Sequence, residues 1–369
     1  MIDPRYERLA QVVVEYSLAV RPGDRVVLNG STATAPLMVP LFEQVVRAGG
    51  HPLALPQPPE LVEILLRRGS DEQIRYLHEP QRLVAETYEA GVTLLGSDNT
   101  KALSNVSPAK LAARQAGRRD LLKTGMERMG KGEYRWCGVQ CPTASSAQDA
   151  EMSLTEYEDF VFGACLPDPN DPVGHWRRVS ERQARLIGWL GGRKTVRVTG
   201  PETDLTFRID GRPFLNCDGR LNMPDGEVCT SPIEDSMEGG VWFPWPSVYA
   251  GREVSGIRLR FQKGQVVEAS AEKGESFLLE TIKVDAGARR VGEFAIGTNE
   301  GITRPTRETL FDEKIAGSFH MALGAGLHEC GGTNDSAVHW DLVCDLREGG
   351  EIRVDGEVLH KDGRFVLWP

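Results

Sequence analysis

The densest cluster of side chains able to do chemistry is Ser336-Ala-Val-His339-Trp-Asp341-Leu-Val-Cys344, in the C-terminal part of the chain. Its composition and alternation read as a β-strand, on which residues i and i+2 share a face. His339 and Asp341 then present an imidazole and a carboxylate side by side, roughly 7 Å apart along the strand, with Trp340 on the other face. An imidazole and a carboxylate at that spacing suit a divalent cation. A hydrogen-bonded His–Asp pair with a structural role uses the same two residues, and both readings stay open.

Three further residues bear on that choice. His320 opens the apolar stretch His320-Met-Ala-Leu-Gly324, at an element boundary where site residues are common. Glu293 interrupts the apolar strand Arg290-Val-Gly-Glu293-Phe-Ala-Ile-Gly297. A buried carboxylate is costly unless it is paired or bound to a cation, and Arg289 and Arg290 are the candidate partners. Glu227 lies in Asn222-Met-Pro-Asp-Gly-Glu227-Val-Cys-Thr-Ser-Pro232, an acidic turn entering a strand, of a kind that often faces solvent.

Other chemistries find little support. No G-x-S-x-G elbow is present. Cys330 has histidines near it in sequence, but nothing fixes their geometry. His328-Glu329 starts a H-E-x-x-H string that fails at Gly332, and Cys137 and Cys141 have no second pair to complete a zinc site. Gly125-Met-Glu-Arg-Met-Gly130-Lys131-Gly132 mimics a phosphate loop but has glycine where Ser or Thr must hold magnesium. Gly324-Ala-Gly326 has no third glycine for a dinucleotide fingerprint. Both glycine strings are expected to be turns.

The elements that must position these residues fall into two textures. The first third alternates helix and strand. Asp3-Pro4 starts a helix, Arg25–Asn29 is a strand, Ala35–Ala48 a helix closed by Gly49-Gly50, and His51–Leu55 a strand. Leu61–Arg68 and Leu83–Ala90 read as helices and Gly91–Gly96 as a strand, so a parallel sheet flanked by helices is expected. From about Thr195 short alternating strands dominate: Thr195–Val198, Leu205–Ile209, Ile257–Phe261 and Val266–Ala269, the last two a hairpin. Helical patterns interrupt near Ser276–Val284 and Arg304–Ile315, and Val179–Leu190 is a helical linker. The expected organisation is an α/β domain over residues 1–190, followed by an α+β domain over 191–369 that carries the metal site.

Composition narrows the partners. A net charge of −10 leaves no basic stripe for nucleic acid and does not favour an anionic membrane surface. No run approaches the roughly 18 apolar residues of a membrane span, and the N-terminus does not read as a secretory signal. Seven scattered cysteines read as reduced thiols, and a cytoplasmic location is expected.

Strings along almost the whole chain resemble the thermophilic-type metallo-aminopeptidases, a two-metal family of leucyl-type enzymes. They include Asp3-Pro-Arg, Tyr16-Ser-Leu, Pro22-Gly-Asp24, Ser70-Asp-Glu-Gln73, Met152-Ser-Leu-Thr-Glu-Tyr-Glu-Asp-Phe160, Asn222-Met-Pro-Asp-Gly-Glu-Val228 and Glu234-Asp-Ser236. Leu310-Phe-Asp-Glu-Lys314, His320-Met-Ala-Leu-Gly324 and Ser336-Ala-Val-His-Trp-Asp341 continue the match. The resemblance implies metal ligands at Glu227, Glu293, His320, His339 and Asp341, holding two divalent ions, zinc or cobalt. It implies hydrolysis of the N-terminal peptide bond of peptides with a free N-terminus, with Glu293 as ligand or general base, in a homodimer. One position departs: Leu327 stands where the family commonly has a tyrosine near the metals, and leucine can neither ligate nor donate a hydrogen bond. A ring-cleaving dihydroxypyridine dioxygenase is similar to this family, and His320, His339 and Asp341 alone would satisfy its mononuclear iron(II) triad.

Overall fold

A computed structural model describes residues 3–366, and the chain divides into two compact units, Met1–Arg177 with Gly219–Pro224 and Arg178–Asp218 with Asp225–Pro369. In the first unit, β1 (Arg25–Ser31), β2 (His51–Gln57), β3 (Ala90–Leu95) and β4 (Arg135–Gln140) form a parallel sheet in the order β2-β1-β3-β4. The short strand Asn222–Met223 joins β4, also in parallel. Val26, Val27 and Leu28 are all buried, the continuous apolar run of a strand covered on both faces. Helix α1 (Pro4–Val12) starts as its sequence suggests: the Asp3 carboxylate accepts from the Arg5 backbone N–H, with proline in the first turn. Helix α2 (Ala35–Arg47) makes the crossover from β1 to β2.

Among its described residues the second unit holds two large antiparallel sheets and a two-stranded one, Ser247–Tyr249 with Arg252–Val254. An eight-stranded sheet includes Thr195–Gly200, Thr203–Arg208 and the hairpin of Ile257–Gln262 with Gln265–Ser270. A five-stranded sheet contains β5 (Leu215–Cys217), β6 (Glu227–Thr230), β7 (Val291–Gly297), β8 (Ser318–Gly324) and β9 (His339–Asp345), in the order β9-β8-β7-β6-β5. One hydrophobic core joins them. Phe294, Ile296, Phe319, Met321, Leu323, Trp340 and Leu342 enter it from β7, β8 and β9, and Val198, Leu205, Phe207 and Phe261 from the larger sheet. The Phe207 and Phe294 rings meet edge-on at 4.8 Å.

Two expectations need correction. Arg304–Ile315 is not a helix: only Thr309–Asp312 is helical. Pro305 removes a backbone donor, Arg307 is left-handed at φ 66°, and the Asp312 carboxylate accepts from the Thr306 and Arg307 backbone N–H groups, a local bonding pattern that competes with the helix. Gly125–Gly130 is not a turn but lies inside the helix Arg119–Gly130, so its N–H groups are committed to the helix and cannot cradle a phosphate. The compact units part at 177/178, inside helix α3 (Pro172–Leu190), whose second half packs with the second unit: Leu186 and Leu190 are members of its core.

Candidate metal centre

Period-two alternation and strand register together build the site. On β7, β8 and β9 the residues facing away from the core are Glu293, Ala295 and Gly297, then His320, Ala322 and Gly324, then His339, Asp341 and Val343. Glu293 pairs with Ala322, which pairs with Asp341; Ala295 pairs with His320, and Gly324 with His339. Between the polar side chains stand alanines and glycines, which leave the space over the sheet to the long side chains. Glu227 joins the same face, because it pairs with Gly297 at the other end of β7.

Two glycines set this register. At Gly292 the β7–β8 pairing shifts by a residue, and a Cβ there would meet the Ala325 carbonyl oxygen at 1.9 Å. That bulge turns Glu293 to the polar face. Gly226, at φ 124°, admits the close approach of Asn299, whose amide donates to the Asp225 carbonyl at 2.7 Å just before Glu227 enters β6. Gln183 donates to the Glu227 carbonyl at 3.1 Å and to Thr298 Oγ1 at 2.9 Å, fixing the start of that strand.

Both histidines are aimed the same way. His320 Nδ1 lies 3.0 Å from the Glu313 carbonyl oxygen, and His339 Nδ1 3.2 Å from that of Ala325. A carbonyl can only accept, so each Nδ1 carries the hydrogen and Nε2 faces the cluster. His320 Nε2 is 3.5 Å from Glu293 Oε1 and 3.8 Å from Asp341 Oδ1; His339 Nε2 is 3.4 Å from Glu293 Oε2 and 3.4 Å from the same Asp341 oxygen. Glu293 thus offers one oxygen to each imidazole, and Asp341 Oδ1 is shared between them. Donor atoms fall into two triads, Glu293–His339–Asp341 and Glu313–His320–Asp341, each within 4.8 Å.

Glu227 stands somewhat apart. Its Oε2 approaches His320 from the Nδ1 side at 3.6 Å, and its Oε1 lies 3.6 Å from Nζ of Lys314, a lysine with no solvent exposure. Lys314 also forms an ion pair with Glu313. Arg289 and Arg290, the partners considered for Glu293, are turned elsewhere: their guanidinium groups donate to the Ile282 and Glu234 carbonyls.

The electrostatics describe a site short of positive charge. The Asp341 and Glu293 carboxylates, each 3.4 Å from its Nε2, push the His339 pKa up to about 11. Burial opposes a charge on His320, yet Glu293, Glu227 and Asp341 outweigh it and raise its pKa to about 10. Burial likewise opposes the charge of Glu293, and the two imidazoles overturn it, holding that carboxyl well below its usual range. Glu227 and Glu313 are pushed upward by burial, with Lys314 working against both. Glu227 Oε2 and Asp341 Oδ1 are buried and have no hydrogen-bond partner among the described residues. Orphaned carboxylate oxygens beside backbone-anchored imidazoles are the donor chemistry that a divalent cation satisfies, so the residues present fit the group.

Four of the five sequence candidates, Glu293, His320, His339 and Asp341, therefore converge, and Glu227 lies on the flank of His320. Glu313 and Lys314 were missed as site residues. Their only signal was an adjacent acid–base pair seven and six residues before His320. Cys330 is buried, and burial first of all pushes its thiol up to about 11, away from the thiolate form a nucleophile needs.

Comparison with known proteins gives the family. Residues 2–365 match the family model described as Thermophilic metalloprotease (M29). Aminopeptidase T of Thermus thermophilus is 27% identical over 97% of this chain and 95% of its own length. The solved structure of wild-type AmpT from Thermus thermophilus superposes with a TM-score of 0.85 at 25% identity, covering 98% of this chain and 99% of that one. A 2,5-dihydroxypyridine dioxygenase from Pseudomonas putida has a TM-score of 0.60 at 14% identity over 98% of this chain and 97% of its own, a likeness of fold alone. With the family model covering the chain from residue 2 to residue 365, this protein belongs to the thermophilic metalloprotease (M29) family and is a metal-dependent peptidase.

Proposed function

We propose that the chain is an aminopeptidase acting on peptides with a free N-terminus, and that Glu293, His320, His339 and Asp341, with Glu227 and Glu313 beside them, hold two divalent cations, zinc or cobalt. The observation that carries this reading is the pair of backbone-anchored histidines whose Nε2 atoms both face Glu293 and Asp341 Oδ1. Neutral imidazole and carboxylate oxygen suit either metal. When bound, such ions would polarise the scissile carbonyl and lower the pKa of a water molecule. The protein's own part is positional: the Glu313 and Ala325 carbonyls hold the imidazoles in the tautomer that keeps Nε2 for the cluster. Glu293 serves as ligand or as general base, taking the proton of the attacking water on a carboxylate oxygen. The carboxylate-rich surroundings favour the cationic α-amine of a substrate, which makes the activity exo-acting.

The mononuclear iron alternative uses His320, His339 and Asp341 and leaves Glu293, lodged between both imidazoles, without a function. The acidic net charge argues against nucleic acid as partner, and no helix among the described residues is long and apolar enough to cross a membrane. A cytoplasmic homodimer completes the proposal, supported by the family resemblance.

Elemental analysis of anaerobically purified protein, with a leucine p-nitroanilide assay, tests it. Two zinc- or cobalt-type ions per chain are expected, with cleavage lost on chelation and restored by the metal. Asp341→Ala is expected to lower kcat/KM by more than about 100-fold, the upper end of what an outer-shell partner costs, with far-UV circular dichroism unchanged. One iron per chain without amide cleavage, or full activity in Asp341→Ala, overturns the assignment.

A further inference from the structure

The polar face of the five-stranded sheet does not end at Glu227. Cys229 lies two residues along β6 on the same face, opposite Ala295, and Cys217 on the edge strand β5 pairs directly with Glu227. The two thiol sulfurs are 3.7 Å apart, and a Glu227 carboxylate oxygen completes a group of three donors within 4.8 Å of one another. The separation is informative: two thiolates on a tetrahedral zinc-type ion, each at about 2.3 Å, stand ~3.8 Å apart. A disulfide requires sulfurs about 2 Å apart, so at this separation the two thiols are unbonded and both remain available as ligands. Cys229 is buried and Cys217 is half-buried on the edge strand, the side from which an ion can arrive.

We propose that Cys217, Cys229 and Glu227 form a second, thiophilic metal site beside the candidate catalytic centre, taking a d10 divalent cation such as cadmium or zinc, with solvent filling the open position. Soft thiolates select such ions, whereas the oxygen and nitrogen donors around Asp341 suit a harder one. Binding exchanges two thiol protons, released to solvent, for one cation, and nothing is oxidised or reduced. Glu227 is the element the two places share. An ion held by the thiols competes for that carboxylate, so thiophilic metal in excess is expected to inhibit a peptidase that needs Glu227.

Cadmium titrated into the full chain, with both thiols kept free by a phosphine reductant, gives the test. Thiolate-to-cadmium charge-transfer absorption in the ultraviolet reports this site and is blind to oxygen and nitrogen ligands. The expected result is a band saturating at one cadmium per chain, kept in Asp341→Ala. In Cys217→Ser, the half-buried position and so the milder change, affinity falls on the order of 100-fold or more, beyond the loss typical of an outer-shell partner. Cys229→Ser is expected to do the same. Absence of a band in the wild-type chain, or an undiminished band in folded Cys217→Ser, overturns the proposal. Because the readout is spectroscopic and Asp341→Ala retains it, failure here is distinguishable from failure of the peptidase assignment.

Discussion

Lys314 carries an ammonium group with zero solvent access, 3.6 Å from Glu227 and ion-paired with Glu313. Lys314→Met keeps the aliphatic stem and removes the charge. Two carboxylates then lose their cation in a buried setting, a change that costs roughly 3–5 kcal/mol when one partner of a buried pair is deleted. At about 2–4 °C per kcal/mol for a unit of this size, the melting temperature of chelator-treated protein should fall by roughly 6–20 °C. A bound divalent ion supplies positive charge to the same carboxylates, so with saturating zinc the deficit should shrink, and zinc should bind the variant at least about as tightly as wild type. Differential scanning calorimetry with and without zinc, alongside a zinc titration, reads both effects. An unchanged melting temperature in the chelator-treated variant would refute the idea that Lys314 is the counter-ion of this cluster. A deficit that widens when zinc is added would refute the idea that lysine and metal answer the same charge.

Two other sites yield predictions. His360 has no solvent exposure, and burial holds its pKa down from 6.5 to about 4. Between those values the unfolded chain binds the extra proton, so stability is full above pH 6.5 and falls by about 3 kcal/mol as the pH drops to 4; His360→Phe should flatten that limb in urea titrations, and an unchanged slope contradicts the assignment. Trp340 is buried against Tyr249, with rings stacked at 5.2 Å and its indole N–H donating to Ser247 Oγ at 2.8 Å. Trp340→Ala should cost about 3–5 kcal/mol in chemical denaturation while Trp340→Phe costs much less, and equal losses would place the stabilisation in the Ser247 hydrogen bond instead.

The legible part of this protein is the part with short-range rules. Alternation placed His339 and Asp341 on one face with Trp340 on the other, and β9 has that geometry. It also identified the hairpin at Gln262–Gln265 and the parallel texture of the first unit. What alternation cannot supply is register between strands. That Glu293 faces Asp341 across Ala322 depends on the bulge at Gly292, and without that one-residue shift Glu293 would turn into the core. Glu313 was hidden for a related reason. It reaches the site from a segment that helical spacing over-read as one long helix, whereas Pro305 and the Asp312 carboxylate fold it back as a loop. The neighbourhood of Cys217 and Cys229 was equally invisible, since the eleven intervening residues say nothing of how β5 and β6 align.

Leu327 is where sequence and structure together constrain the chemistry most. Its backbone is held on both sides: the N–H donates to Ser231 Oγ at 2.9 Å, and the carbonyl accepts from the N–H groups of Cys330 and Gly332 at 3.0 and 2.9 Å. A Cβ at Gly332 would come within 2.9 Å of the Leu327 nitrogen, so the loop closes tightly on this residue. The neighbour that offered a polar substitute does not provide one. His328 sits in a single 3-10 turn rather than a strand, its side chain is 72% exposed, and its Nε2 pairs with Asp335 at 3.2 Å. A leucine fixed at a position that the family commonly gives to a hydroxyl, beside a histidine turned to solvent, removes one hydrogen-bond donor without replacing it. In the proposed reaction the candidates for proton transfer are then the carboxylates of the sheet face. Among these Glu293 has both oxygens within 3.5 Å of an imidazole, which makes it the residue on which the proposed peptidase chemistry rests.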